Sequence, residues 1–226
     1  MAEPPVWVPG GEAGVVQVLR DTPDSAVVVE QVVQALQALP DSLKAEMFRR
    51  GLSVMVVPNI PEYVPKIAAQ IPRGYTSGDY RFAHAIYDPR KNRLVVAERV
   101  ARGPSAEVKV NKLGIDATFH ELGHAIDYAQ GMVSAQPDFI AAYEEDKRHL
   151  TPKQVAKDQY FLQPGKAGPA ELFAELLSIH YLWRMKSPMI FGHLVRDFPV
   201  SYAYVEGYLT HYESAKPKGE RGVGDQ

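Results

Sequence analysis

The sequence predicts an α+β fold, mostly helical with one small mixed sheet. Three observations carry this. Apolar residues recur at intervals of three and four through most of the chain, the period of helices. Residues 54–57, 83–87 and 93–98 instead read as short strands bounded by turn residues. And 226 residues, 46% hydrophobic and 23% charged, suit one globular domain with a sizeable core or two tightly joined lobes.

In chain order, residues 1–24 hold Pro4, Pro5, Pro9, Gly10, Gly11, Gly14 and Pro23, the composition of an irregular arm. The domain proper is expected over 25–213. Val28, Val29, Val32, Val33, Leu36 and Leu39 form a helical stripe, and Pro40-Asp41-Ser42 opens a second short helix that Gly51 caps. Residues 54–57 read as a buried strand stopped by Pro58. Pro61, Pro65 and Pro72 break up the next segment, which runs into a glycine-bracketed loop over 74–80, a type of loop that often borders clefts. Residues 83–87 and 93–98 form a hairpin through the turn Asp88-Pro89-Arg90-Lys91-Asn92. A helix over 115–130 ends at Gly131, another starts at Pro137, and Pro169 sits in the first turn of a third that runs through 170–181. Helical patterns over 188–197 and 199–213 follow, and residues 214–226 read as a disordered tail.

The helix over 115–130 carries His120-Glu121-Leu122-Gly123-His124. Four residues advance a helix by about 40° of azimuth, so the two imidazoles stand one above the other and can grip one metal ion, which for this ligand type suits zinc. Glu121 lies roughly 100° round, off the ligand line but in reach of water at the metal as a general base. Phe119, Leu122, Ala125 and Ile126 make the surroundings apolar, which argues against a merely solvated face. A catalytic zinc needs a third protein ligand. Asp127, Glu171 and Glu175 are the acidic candidates. Asp127 lies about 10 Å of rise beyond His120 and reads either as a helix-end residue or as one that supports a metal ligand from behind. A third histidine six positions after His124 would mark a metzincin, but Gln130 stands there.

Taken with the stretch from Phe139 to Glu145 and with Glu171-Leu172-Phe173-Ala174-Glu175, the motif resembles the catalytic domain of anthrax-lethal-factor-like zinc peptidases, which include the Pro-Pro endopeptidases. The resemblance implies a zincin-like domain, with a lobe holding the sheet and the motif helix and a helical lobe holding Glu171. It implies one catalytic zinc held by His120, His124 and Glu171, with Glu121 as general base and acid and Glu175 orienting a ligand histidine. The family also uses an oxyanion-stabilising tyrosine, typically seven positions before the ligand glutamate. Here that position is Pro164, and Tyr160 is the nearest candidate. The strand over 93–98, with Val95 and Val96, is the expected edge for an extended substrate, and Tyr75, Tyr80 and Tyr87 are candidates to line its pockets.

Other classes fall away. A net charge of −2 with scattered basic residues leaves no nucleic-acid stripe, no run reaches the roughly 20 apolar residues of a membrane span, and the lack of cysteine excludes disulfides and thiolate sites. The expected partner is a protein or peptide substrate, with oligomeric state undetermined. No Sec-type signal is visible in residues 1–20, so a secreted or delivered toxin-like enzyme and a cytoplasmic, regulator-cleaving peptidase both stand, as does a peptide-binding module whose catalysis has lapsed. His84, His149, His180, His193 and His211 have no evident partner at ligand spacing and are expected to be structural, with Asp79 and Glu98 as turn and surface residues.

Overall fold

The computed structural model describes residues 16–19, 22–67, 70–72, 78–102 and 107–214. The expected tail beyond 214 and Tyr75 lie outside the described residues. In order come β1 (Val16–Val18), α1 (Ser25–Ala38), α2 (Asp41–Arg49), β2 (Ser53–Val57), α3 (Ile60–Tyr63), β3 (Ala85–Asp88), β4 (Arg93–Ala97), β5 (Arg99–Arg102) and β6 (Glu107–Val110). The helices α4 (Gly114–Ala129), α5 (Pro137–His149), α6 (Pro152–Lys157), α7 (Ala167–Arg184), α8 (Leu194–Asp197) and α9 (Pro199–Ser214) follow among the described residues. This is the α+β architecture expected, with a four-stranded mixed sheet and a separate β5–β6 hairpin.

Local signals explain most boundaries. Gly51 adopts φ +85° directly after α2, a left-handed turn that glycine accepts without strain. Pro137 starts α5 and Pro152 starts α6, where Thr151 and Gln154 form a reciprocal capping box. Asp146 on α5 accepts from the backbone N–H groups of Val200 and Ser201, so one buried carboxylate satisfies the N-terminus of α9 and locks the two helices together. Of the pattern over 188–197, only Leu194–Asp197 is helical.

The sheet order is β1-β2-β4-β3, with β1, β2 and β4 parallel and β3 antiparallel to β4. Side-chain alternation divides its two faces. Val54, Val56, Leu94 and Val96 join the main core beneath α1 and α4, while Met55, Val57, Val95 and Ala97 pack with Ile60 and Tyr63 on the opposite side. Two expectations fail here for long-range reasons. Val16-Gln17-Val18, inside the expected irregular arm, pairs in parallel with Val54-Met55-Val56, and its two valines are buried. Glu98, expected on the surface, is 1% exposed because Ser25 Oγ and Thr22 Oγ1 donate to its two carboxylate oxygens at 2.6 and 2.7 Å. Asp79 is a turn residue as expected and accepts from the Arg81 backbone N–H.

Candidate active site

The site is built where α4 crosses α7. The crossing is close because Gly123 has no side chain: a Cβ there would stand 2.5 Å from the Ala174 Cα. Ala174 lies between Glu171 and Glu175 in sequence, so this approach brings both acids against the histidine face of α4. His120 and His124, one turn apart, meet edge to face with ring centroids 4.9 Å apart. Glu171 Oε2 lies 3.2 Å from the Nε2 atoms of both His120 and His124. Glu175 Oε2 lies 2.8 Å from His120 Nδ1, on the far side of that ring.

The donor set can hold a metal ion. One ligand atom from each of His120, His124 and Glu171 lies within 4.8 Å of the others. A tetrahedral zinc with bonds of about 2.1 Å separates neighbouring ligand atoms by about 3.4 Å, close to the 3.2 Å nitrogen-to-oxygen distances. Electrostatics agree. Burial favours neutral groups here, yet the two imidazoles hold Glu171 well below the ordinary carboxylate range. Burial likewise works against a charged His120, and Glu171 and Glu175 outweigh it to lift that ring well above the usual histidine value. An arrangement that favours a positive charge among two buried acids is one that a cation can occupy.

Tyr160 reaches the cluster, its hydroxyl donating to Glu171 Oε2 at 3.0 Å. The turn that carries it is fixed from behind: Tyr143 Oη donates to the Phe161 carbonyl at 2.9 Å and Gln163 Nε2 to the Tyr160 carbonyl at 2.8 Å. Its eleven-residue distance from Glu171 is accommodated by this turn and by Gly165 at φ +67°. Glu121 is half-buried on α4 and close enough to His120 for its charge to act on the ring.

Asp127 is 2% exposed and serves the end of α4, accepting from Ser134 N–H at 2.7 Å and Ser134 Oγ at 2.6 Å. Of the two readings expected, this contact fits the helix-end one. Asp116 and Ser178 were not singled out from the sequence, although Asp116 stands one turn before His120. Ser178 Oγ donates to Asp116 Oδ1 at 3.0 Å, and burial, reinforced by the Glu175 charge, pushes the Asp116 carboxyl up to about 6. Its folded pKa thus exceeds the ordinary 3.8, so its protonated form favours folding below about 4 and that contribution is lost as pH rises through about 6. In the metal-free chain, Asp116→Asn should flatten the pH dependence of unfolding free energy between those limits, measured by urea titration at a series of pH values.

The structure does not bring the other expected contacts together. Strand β4 is paired on both sides, by β2 and β3, and Val95 and Val96 are fully buried on opposite faces, so neither can meet a substrate. The edge is β3, which packs on α4, with Tyr87 6.3 Å from Tyr128 between ring centroids. Among the described residues nothing pairs with its outer side. Because Ala97 N–H donates to the His84 carbonyl, antiparallel alternation turns the backbone groups of Ala85 and Tyr87 outward. Tyr80 packs against the cluster on the sheet face opposite α4, held there by the short turn Tyr80–Phe82. Of the remaining histidines, His84 Nδ1 pairs with Asn111 Oδ1 and His149 with Glu145, as structural groups. His193 departs from expectation: its Nε2 lies 2.8 Å from Asp158 Oδ1, and Asp197 brings a ligand-capable atom within 4.8 Å.

No family model matches the chain, and no curated protein matches it by sequence. Solved structures do match in shape. That of the Pro-Pro endopeptidase PPEP-2 from Paenibacillus alvei superposes with a TM-score of 0.58 at 17% sequence identity, covering 85% of this chain and 96% of that one. At that identity the likeness is one of fold. No helix among the described residues is long and apolar enough to cross a membrane.

Proposed function

We propose that the chain is a zinc-dependent endopeptidase. The observation that carries this is the convergence of His120, His124 and Glu171 from two helices onto one point, with Tyr160 bonded to the same glutamate oxygen. Three protein ligands with a position left over is the pattern of a catalytic rather than a closed structural zinc. When bound, the ion supplies Lewis acidity, acidifying a water and polarising the scissile carbonyl. Glu121 takes the proton from the attacking water and later passes it to the leaving amine. The Tyr160 hydroxyl donates to the carbonyl oxygen as it becomes an anion. Glu175 holds His120 in the tautomer that leaves Nε2 free for the metal.

The substrate in this reading is an extended peptide that adds to the outer edge of β3 through the backbone of Ala85 and Tyr87. The fold neighbour is named for proline-proline bonds, which makes such peptides the first to offer. The test is cleavage of a mixed peptide library, proline-rich members included, by the chain with and without a chelator. Cleavage that stops with chelation and returns with zinc is expected. A chain that takes up no metal after reconstitution, or a zinc-loaded chain that cuts nothing in the library, would overturn the reading.

A further inference from the structure

A second cluster, independent of the first, lies around α8. Asp158 follows α6 directly, and His193 and Asp197 are four residues apart on one helical face. One ligand-capable atom from each lies within 4.8 Å of the others. His193 Nε2 is 2.8 Å from Asp158 Oδ1, and Asp197 Oδ1 accepts from Gln154 Nε2 at 2.8 Å and Arg196 Nε at 3.1 Å. Both aspartate side chains are only 1% exposed. Yet Asp158 Oδ2 and Asp197 Oδ2 are buried with no hydrogen-bond partner among the described residues. Each aspartate of the cluster thus keeps one buried carboxylate oxygen bare, a costly state that a cation relieves. Arg196 offers only partial compensation, because its side chain is 77% exposed and already spent on the other oxygen of Asp197.

We propose that Asp158, His193 and Asp197 form a second divalent-metal site. One imidazole with two carboxylates suits zinc or manganese; magnesium and calcium, which take oxygen ligands alone, fit poorly. The role is structural. Asp158 stands two residues before Tyr160, and its carbonyl accepts from Phe161 N–H, so an ion here ties the root of the tyrosine turn to α8. Phe161 and Phe191, with ring centroids 5.3 Å apart, already bridge the same two segments.

The full chain, stripped of metal, reconstituted with excess zinc and dialysed, is expected to hold two equivalents by elemental analysis. The double variant His120→Ala/His124→Ala should keep one, and adding either His193→Gln or Asp197→Asn should leave none. Two different variants guard against a single misfolded one, as does titration of the native chain with cobalt, whose visible spectrum should report two classes of site. One equivalent in the native chain together with none in the double variant would reduce the cluster to a plain ion pair and overturn the proposal, leaving the proposed peptidase centre intact. One equivalent that survives in the double variant but is lost with His193→Gln would uphold this site and sink the peptidase reading instead.

Discussion

Glu121→Gln is expected to cut kcat by about 10²- to 10⁴-fold while leaving metal content and thermal stability nearly unchanged. The substitution keeps the shape of the side chain and removes its ability to accept a proton. Glu121 is not among the residues that converge on the proposed metal position, which are His120, His124 and Glu171, so the donor set survives. The loss should therefore appear in single-turnover rates, with KM little altered. A variant that retained near-native kcat with full metal content would mean that another base does this work. A variant that lost its metal would mean that Glu121 shapes the ligand set.

Tyr160→Phe should cost about 10²- to 10³-fold in kcat, the range for removing one oxyanion donor. The aromatic ring remains, and with it the edge-to-face contact with Phe161 at 5.3 Å, so the turn should keep its place. Two roles are separable. Because the hydroxyl also bonds Glu171, a purely positioning tyrosine would alter metal affinity and leave a loss of about tenfold or less at saturating zinc. A large fall in kcat at unchanged metal affinity identifies the hydroxyl as acting on the reacting carbonyl. Measuring both constants on one preparation decides between them.

The histidine pair of α4 is legible because its signal is local: His120 and His124 are one turn apart whatever the rest of the chain does. Glu171 and Glu175 share a face of α7 for the same reason, though only the crossing at Gly123 and Ala174 decides that this face meets the histidines. Which hairpin strand forms the edge was not a local matter. It depends on the parallel pairing of Ser53 with Arg93, forty residues apart in sequence. One signal did point the right way, since Leu94-Val95-Val96-Ala97 has no polar alternation and reads as a strand buried on both faces, hence an inner one. The strand at Val16–Val18 is three residues long amid prolines and glycines, too short for any period to register. In the second cluster the expectation that His193 has no partner at ligand spacing overlooks Asp197, four residues on, while Asp158 arrives only through tertiary packing.

The seam between α4 and α7 also makes the proposed ion a thermodynamic ligand of the native state. His120 and His124 stand on one helix and Glu171 on the other, so unfolding that parts Gly123 from Ala174 scatters the donor set and releases the metal. Each tenfold rise in free metal above its dissociation constant then adds about 1.4 kcal/mol to unfolding free energy. The melting temperature becomes a gauge of metal concentration, and a chelator becomes a denaturant of this domain without touching a single covalent bond.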